Sequence, residues 1–441
     1  MTPVQFDRRQ LLAGTAATLA AVPAFAAPGL DAAQFGLKPG AGDDQSAALE
    51  RAIAQAARSR VPLFLAPGVY RAGGVKIASG AQVVGVRGAT RLTLTAGASL
   101  LTAEGGDAVT LSGLTLDGRN LTLPQRRGLL HLSGVKGLRM SDCTVVAAGG
   151  NGVALEGCDG TLSGNTILDS ADNAVSSLDS KGLLITGNRI GKAGNGGIRI
   201  WQSAKRHDGS IVADNTIEDI GARAGGSGQN GNGVNVYRAG GVIVRGNVIR
   251  RAAFSAVRGN AASAFQVIGN NCADLKETAL YAEFGYEGAV FVGNIVDGAE
   301  SGISVTNFNE GGRLGVVQGN ILRNLGSRAP SGAQGVGIGV EADIAVSGNT
   351  IEDAPVVGIR AGWGPYLRNV AVTGNVVRNC GLGIGVSVAR GAGDASVSGN
   401  VIAGARGGAV VAMEWDKVVA DLDKAGTAAY PQLTVANNQV R

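Results

Sequence analysis

A Gly-Asn pair with an aliphatic residue two places beyond the asparagine recurs through most of this chain. It stands at Gly164-Asn165, Gly187-Asn188, Gly246-Asn247, Gly269-Asn270, Gly293-Asn294, Gly319-Asn320, Gly348-Asn349, Gly374-Asn375 and Gly399-Asn400. Asp214-Asn215 and Asn437-Asn438 keep the register where glycine is replaced, and Asp142-Cys143 aligns upstream with cysteine in the asparagine position. The repeat is about 22 to 32 residues long, with one longer gap before Asn438, and a period of that size identifies a solenoid rather than a single globular core. The following aliphatics, Ile167, Ile190, Ile217, Ile249, Val296, Leu322, Ile351, Val377 and Ile402, form one inward column. Five residues past the asparagine comes a small one, as at Ala193, Ala252, Ala299 and Ala354. About nine past it a further strand opens with Gly197-Ile198, Gly302-Ile303, Gly358-Ile359 or Gly383-Ile384.

Short Val/Ile strands with glycine and asparagine at the corners cannot bury their apolar face alone, so each coil must stack on its neighbours about 4.8 Å away. The expected fold is all-β, a right-handed parallel β-helix of about 12–14 coils. Stacking aligns the asparagines into a ladder of side-chain amides along the axis, a structural role. Glycine before asparagine suits a corner at positive φ. Composition agrees with many thin layers: 72 glycines in 441 residues, 4% aromatic and 17% charged. A net charge of +5 without a Lys/Arg run does not imply nucleic acid.

Residues 1–26 read as a targeting segment. Arg8-Arg9 precedes an uncharged stretch and then Ala24-Phe25-Ala26, the order of a twin-arginine signal peptide cut after Ala26. Residues 28–441 then form one β-helix domain, periplasmic or secreted, with no stable membrane span after signal cleavage. Within residues 43–60, Ala48, Leu49, Ala52, Ile53 and Ala56 recur at helical spacing, with Asp44 as a cap. This helix closes the N-terminal end as part of a cap over residues 31–60. Residues 415–429, within an insertion at 413–431, read as charged and helix-capable ahead of a final strand. Of the four cysteines, Cys272 and Cys380 fall in interior columns, and a Cys143–Cys158 bridge is the alternative to small interior fillers in an oxidising compartment.

The stretch from Asp31 through Gln34-Phe35-Gly36, Asp43-Asp44-Gln45 and Pro67-Gly68-Val69-Tyr70 resembles the N-terminal cap of pectate-lyase-superfamily β-helix proteins. The Arg-Arg leader joined to Gly-Asn repeats is similar to a family of twin-arginine-translocated repeat proteins of uncharacterised function. The resemblance implies fold and export. Relatives of the architecture include polysaccharide lyases, polygalacturonase-type hydrolases and alginate epimerases, but their active-site patterns, Gly-His-Gly among them, are missing from this sequence.

Alternation along the strands that open with Gly-Ile or its equivalent points the third and fifth positions outward. In the middle coils these positions carry Arg199 and Trp201, Asn235 and Tyr237, Arg258 and Asn260, then Tyr281 and Glu283. Nine of the eighteen aromatics fall between Trp201 and Phe308, and residues 202–209 and 221–232 read as long flanking loops that wall a cleft. Aromatic faces beside arginine and asparagine suit an acidic polysaccharide: the ring stacks, arginine forks the carboxylate and asparagine reaches hydroxyls. In a lyase or epimerase, Arg258 or Arg199 would neutralise the uronate and Tyr281 or Tyr237 move the proton, with Glu283 beside Arg258 and Tyr281 as a further catalytic candidate. Arg199, Trp201, Asn235, Tyr237, Asn260, His207 and Glu341 would contact substrate. An inverting hydrolase would use Glu283 and Glu341, about 10 Å apart by strand spacing and just beyond the usual range of about 6.5–9.5 Å. A non-catalytic glycan-binding or envelope-structural protein would need no proton-transfer group. His131 falls outward on an early coil, remote from this cluster, and receives no role. No metal or cofactor motif rises above the glycine-rich background.

Replacing both Arg8 and Arg9 with lysine is expected to strand the precursor in the cytoplasm. Cell fractionation checks this, and normal periplasmic delivery of the variant would refute the twin-arginine route.

Overall fold

Each turn of the chain makes three short strands, and like strands of successive turns pair in parallel. The computed structural model describes residues 29–226, 228–326 and 335–441. The leader at 1–26, and with it the export signal, lies outside the described residues. Among the described residues the three sheets hold 16, 15 and 15 strands, the end strands belonging to caps, and the whole is a right-handed parallel β-helix of about 13 turns. Among the described residues no helix is long and apolar enough to cross a membrane.

The Gly-Asn pairs form the two-residue corner between the first and second strand of each turn, as between Gly160–Ser163 and Thr166–Ser170. The glycines sit at φ of 62–66°, and Asp142, Asp214 and Asn437 take the same left-handed conformation where glycine is absent. From Asn165 to Asn400 the side-chain amides form an unbroken ladder. Each Nδ2 donates to the next asparagine's Oδ1 at 2.9–3.0 Å, ending on Asn438. The same Oδ1 accepts the preceding asparagine's backbone N–H, so a buried polar column is fully bonded. Cys143 opens the column: its N–H donates to Asn165 Oδ1.

Inside, the column Val153, Val175, Ile198, Val234, Val257, Leu280, Ile303 is in continuous register and buried throughout. Cys272 fills the neighbouring aliphatic column between Ile249 and Val296. All four thiols are free and buried, so Cys143 and Cys158 do not form a bridge. Burial pushes the Cys143 thiol up to about 11 and that of Cys272 to about 12, which leaves them inert fillers.

The N-terminal end is closed by helix α1 (Ser46–Ser59), whose Leu49, Ala52, Ile53 and Ala56 enter the core while Asp44 Oδ1 accepts the Ser46 N–H. Two expectations change. Residues 415–429 are not mainly helical: Lys417–Asp421 folds back as an antiparallel strand on Val410–Glu414, followed by the single turn Leu422–Ala425. The strand pairs the edge that Val410–Glu414 would otherwise leave open. Residues 202–207 are not a loop but the end of a twelve-residue strand, Gly196–His207, which pairs with Asn232–Gly240 across a register shift between Trp201 and Arg206.

Asn294 is fully buried and bonded to Asn270, Asn320 and the Val267 carbonyl. Asn294→Leu is expected to destabilise the fold by about 1–3 kcal/mol through orphaned ladder partners. An unchanged urea midpoint would mean the column contributes nothing.

Candidate functional site

The third strand of each turn builds one broad outer face. Its register pairs Arg199 with Asn235, Asn235 with Arg258 and Arg258 with Tyr281, while a second file runs Trp201, Tyr237, Asn260, Glu283. These side chains therefore stand on four adjacent rungs, opposite the inward Val and Leu residues.

Two sub-clusters result. In the first, Trp201 and Tyr237 lie with ring centroids 5.2 Å apart and tilted by 56°. The Arg199 guanidinium sits 4.2 Å above the Trp201 ring and Arg238 sits 4.7 Å from Tyr237, so the aromatic pair has a cation on either side. Asn235 is buried; its Oδ1 accepts the Trp201 indole N–H at 2.7 Å and its Nδ2 donates to the Gly228 carbonyl, which fixes the indole plane. Arg199 touches the Gln229 carbonyl and Asn230 only at 3.4 Å, and its Nε is buried with no hydrogen-bond partner. Burial holds its pKa below the usual arginine range; Asp172 opposes this, and Arg126 adds to it more weakly. A groove of about 250 Å³ opens here, lined by Arg126, Ser176, Leu178, Arg199, Trp201 and Tyr237 among others.

In the second sub-cluster the guanidinium of Arg258 is already occupied. It forks both oxygens of Glu283 at 2.7 Å, reaches Glu277 at 2.9 Å and lies 4.7 Å from the Tyr281 ring. Asn260 Nδ2 donates to the same Glu283 carboxylate. Arg258 and Glu283 are only 6% and 3% exposed, so the pair is shut off from water. Burial opposes the Arg258 charge, but Glu283 and then Glu277 more than offset it and raise the pKa. Burial, and then Glu283, also raise that of the Tyr281 phenol, which stays protonated.

Two expected contacts stand apart from the groove. His207 is exposed at the far end of the Gly196–His207 strand, opposite Gly240. Glu341 is buried and accepts the Phe308 N–H at 2.6 Å, at the start of the short 3-10 helix Phe308–Glu310. Sequence reasoning missed Arg126, because it lies in a segment outside the repeat; the long insertion at 118–127 before a strand was the available signal.

This geometry defines a parallel β-helix carrying an aromatic and cationic groove on one sheet. Comparison with known proteins agrees on the class. Residues 205–367 match the family described as right handed beta helix region, and residues 95–228 that described as periplasmic copper-binding protein (NosD). Among solved structures, the catalytic unit of the GH87 alpha-1,3-glucanase from Streptomyces thermodiastaticus strain HF3-3 superposes with a TM-score of 0.51 at 16% identity, covering 94% of this chain and 69% of that one. The pre-mature gene product 12 of bacteriophage phi29 gives 0.54 at 12% identity, covering 93% of this chain and 66% of that one. At these identities the likeness is one of fold. No curated protein matches the sequence. The copper in the NosD family's name finds no counterpart here: among the described residues no three His, Cys, Asp or Glu side chains gather as ligands, and each cysteine is sealed in the core.

Removing Arg258 alone leaves a buried, unpaired Glu283, so Arg258→Ala is expected to cost about 3–5 kcal/mol of stability, while replacing both with apolar residues costs much less. Chemical denaturation of the single and double variants checks this; equal losses would show that the pair is solvated.

Proposed function

We propose that the protein is exported and binds an acidic polysaccharide in the groove floored by Trp201 and Tyr237. The observation that carries this reading is the tilted aromatic pair with Arg199 held over the indole and bonded to the Gln229 carbonyl and Asn230 only at 3.4 Å. A sugar ring stacks on the aromatic surface, and the buried guanidinium supplies a strong partner for a carboxylate. Asn235, engaged with the indole, acts as a positioning residue. Asn260, tied to Glu283, extends the floor rather than reaching for hydroxyls.

We further assign any elimination or epimerisation to the Tyr281 rung, the next group along the floor with a proton to give. Arg258 and Glu283 would hold it in place. The inverting pair Glu283 and Glu341 is not favoured, since both carboxylates are engaged with protein donors.

Arg199→Gln is expected to weaken binding of uronate oligosaccharides by about 1.5–3 kcal/mol and to affect carboxyl-reduced, neutral counterparts far less. Trp201→Ala should weaken both. Titration calorimetry measures this, and equal affinities in all three proteins would overturn the reading. Loss of turnover in Tyr281→Phe with binding intact would support proton transfer there; absence of turnover in the unmodified protein would support binding alone.

A further inference from the structure

The groove over Trp201 continues toward the N-terminal end of the same sheet. There it opens into a second hollow of about 450 Å³, and Arg126 and Glu156 line both spaces. Its floor is made of earlier rungs of the same two files: His131 between Thr102 and Ala154, and Ser133 between Glu104 and Glu156. Its wall is the end of the 118–127 segment, with Gln125, Arg126 and Arg127.

Charge is the first observation. Surface arginines of this solenoid are commonly paired to a carboxylate of a neighbouring coil, as Arg91 is to Asp117, Arg251 to Asp219 and Arg323 to Asp297. Arg126 and Arg127 make no ion pair with any described residue. Arg126 instead lines the groove together with Arg199. Arg126 and Arg127 thus make one side of the hollow positive, with Glu104 and Glu156 on its floor, and an anion within it is favoured against the arginine wall.

The imidazole is the second. His131 is 6% exposed, its Nδ1 is buried without a hydrogen-bond partner, and its Nε2 lies 4.0 Å from the Glu156 carboxylate, too far to bond. A buried bare lone pair is tolerated better than a buried orphan N–H, so we assign the proton to Nε2, on the side of Glu156. Burial, and then Arg127, hold the ring's pKa below the usual histidine value against the opposing pull of Glu156 and Glu104, which keeps it neutral at pH 7.

The third is how the wall is held. Arg126 adopts a left-handed φ of 64°, rare for a residue with a side chain. The buried Asn151 side chain donates to the carbonyls of Arg126 and Arg127 at 3.1 and 3.3 Å, and its Oδ1 accepts from the Asn173 amide at 2.9 Å. A second, short asparagine ladder thus fixes the backbone from which both guanidinium groups project.

We propose that this hollow is a binding subsite for an acidic sugar residue, with Arg126 and Arg127 taking the carboxylate and His131 Nε2–H donating to a hydroxyl. The proposal rests on the glycan reading of the Trp201 groove. Glu104 and Glu156 repel a carboxylate on their side and accept hydroxyls, so the acid group turns toward the arginine wall. The ligand runs along the solenoid axis from the Thr102 rung to the Tyr237 rung, about 24 Å at the usual strand spacing, which demands an oligosaccharide.

The test is titration calorimetry on the mature chain with three probes: oligogalacturonates, the same oligosaccharides reduced to neutral sugars, and a sulfated glycosaminoglycan fragment. The Arg126→Gln, Arg127→Gln double variant is expected to bind oligogalacturonate about 10- to 100-fold more weakly, the scale of lost charge-assisted hydrogen bonds, and neutral sugar unchanged. His131→Gln should weaken both several-fold. A double lysine variant, which retains charge but not the fork, should recover part of the affinity and guards against a folding defect. Unchanged oligogalacturonate affinity in the double glutamine variant, with binding still lost in Trp201→Ala, would overturn the subsite and leave the groove standing. Tighter binding of the sulfated probe would overturn the carboxylate assignment. No binding of any probe by the folded unmodified protein would overturn both readings.

Discussion

The asparagine ladder is the interaction on which the rest of this molecule depends. A parallel strand pair alone tolerates slippage, and a one-residue slip would turn every outward side chain inward. The corner amide removes that freedom. It bonds to the next coil's amide, to a backbone N–H and to a carbonyl of the coil before, three contacts that only one stacking register satisfies together. The left-handed glycine beside it makes the corner two residues long in every turn, so each new turn begins in phase with the last.

Regular stacking has a functional consequence. Once the first corner is locked, variation is confined to the other two, and insertions there become walls beside a flat sheet. The segment at 118–127 and the extension of Gly196–His207 are of this kind. Floor residues are thus held to the spacing of β-strands, while the walls choose where the floor is enclosed. The groove lies where aromatic rungs and an arginine-bearing wall coincide, between His131 and Tyr237.

The outer face also separates two uses of the same side chains. Arg199 and Arg258 occupy the same file two rungs apart, yet one is left with an unbonded nitrogen and the other is closed by two glutamates. The difference lies in their neighbours. Glu277 and Glu283 bond Arg258 directly, whereas Arg199 lies over Trp201 and reaches Asn230 only at 3.4 Å, with Asp172 acting on it through its charge alone. A buried ion pair closes the C-terminal part of the floor, while in the N-terminal part Arg126 and Arg127 form no ion pair with any described residue.

By itself the sequence determined the solenoid, the inward aliphatic columns, the asparagine ladder with Cys143 at its head, the capping helix and the outward files from Arg199 to Glu283. The helix follows from its own helical spacing, and the rest from one local period, since residues with the same phase in successive turns must stack. What only the tertiary structure decided is which outward residues are already partnered and which are open. The Arg258–Glu283 fork depends on how side chains of neighbouring rungs reach across the files, and the meeting of Arg126 and Arg127 with His131 depends on a corner that shares no phase with the repeat. The positions of the two arginines are set by the course of that insertion and by Asn151 and Asn173 beneath it, contacts that no periodicity along the chain encodes.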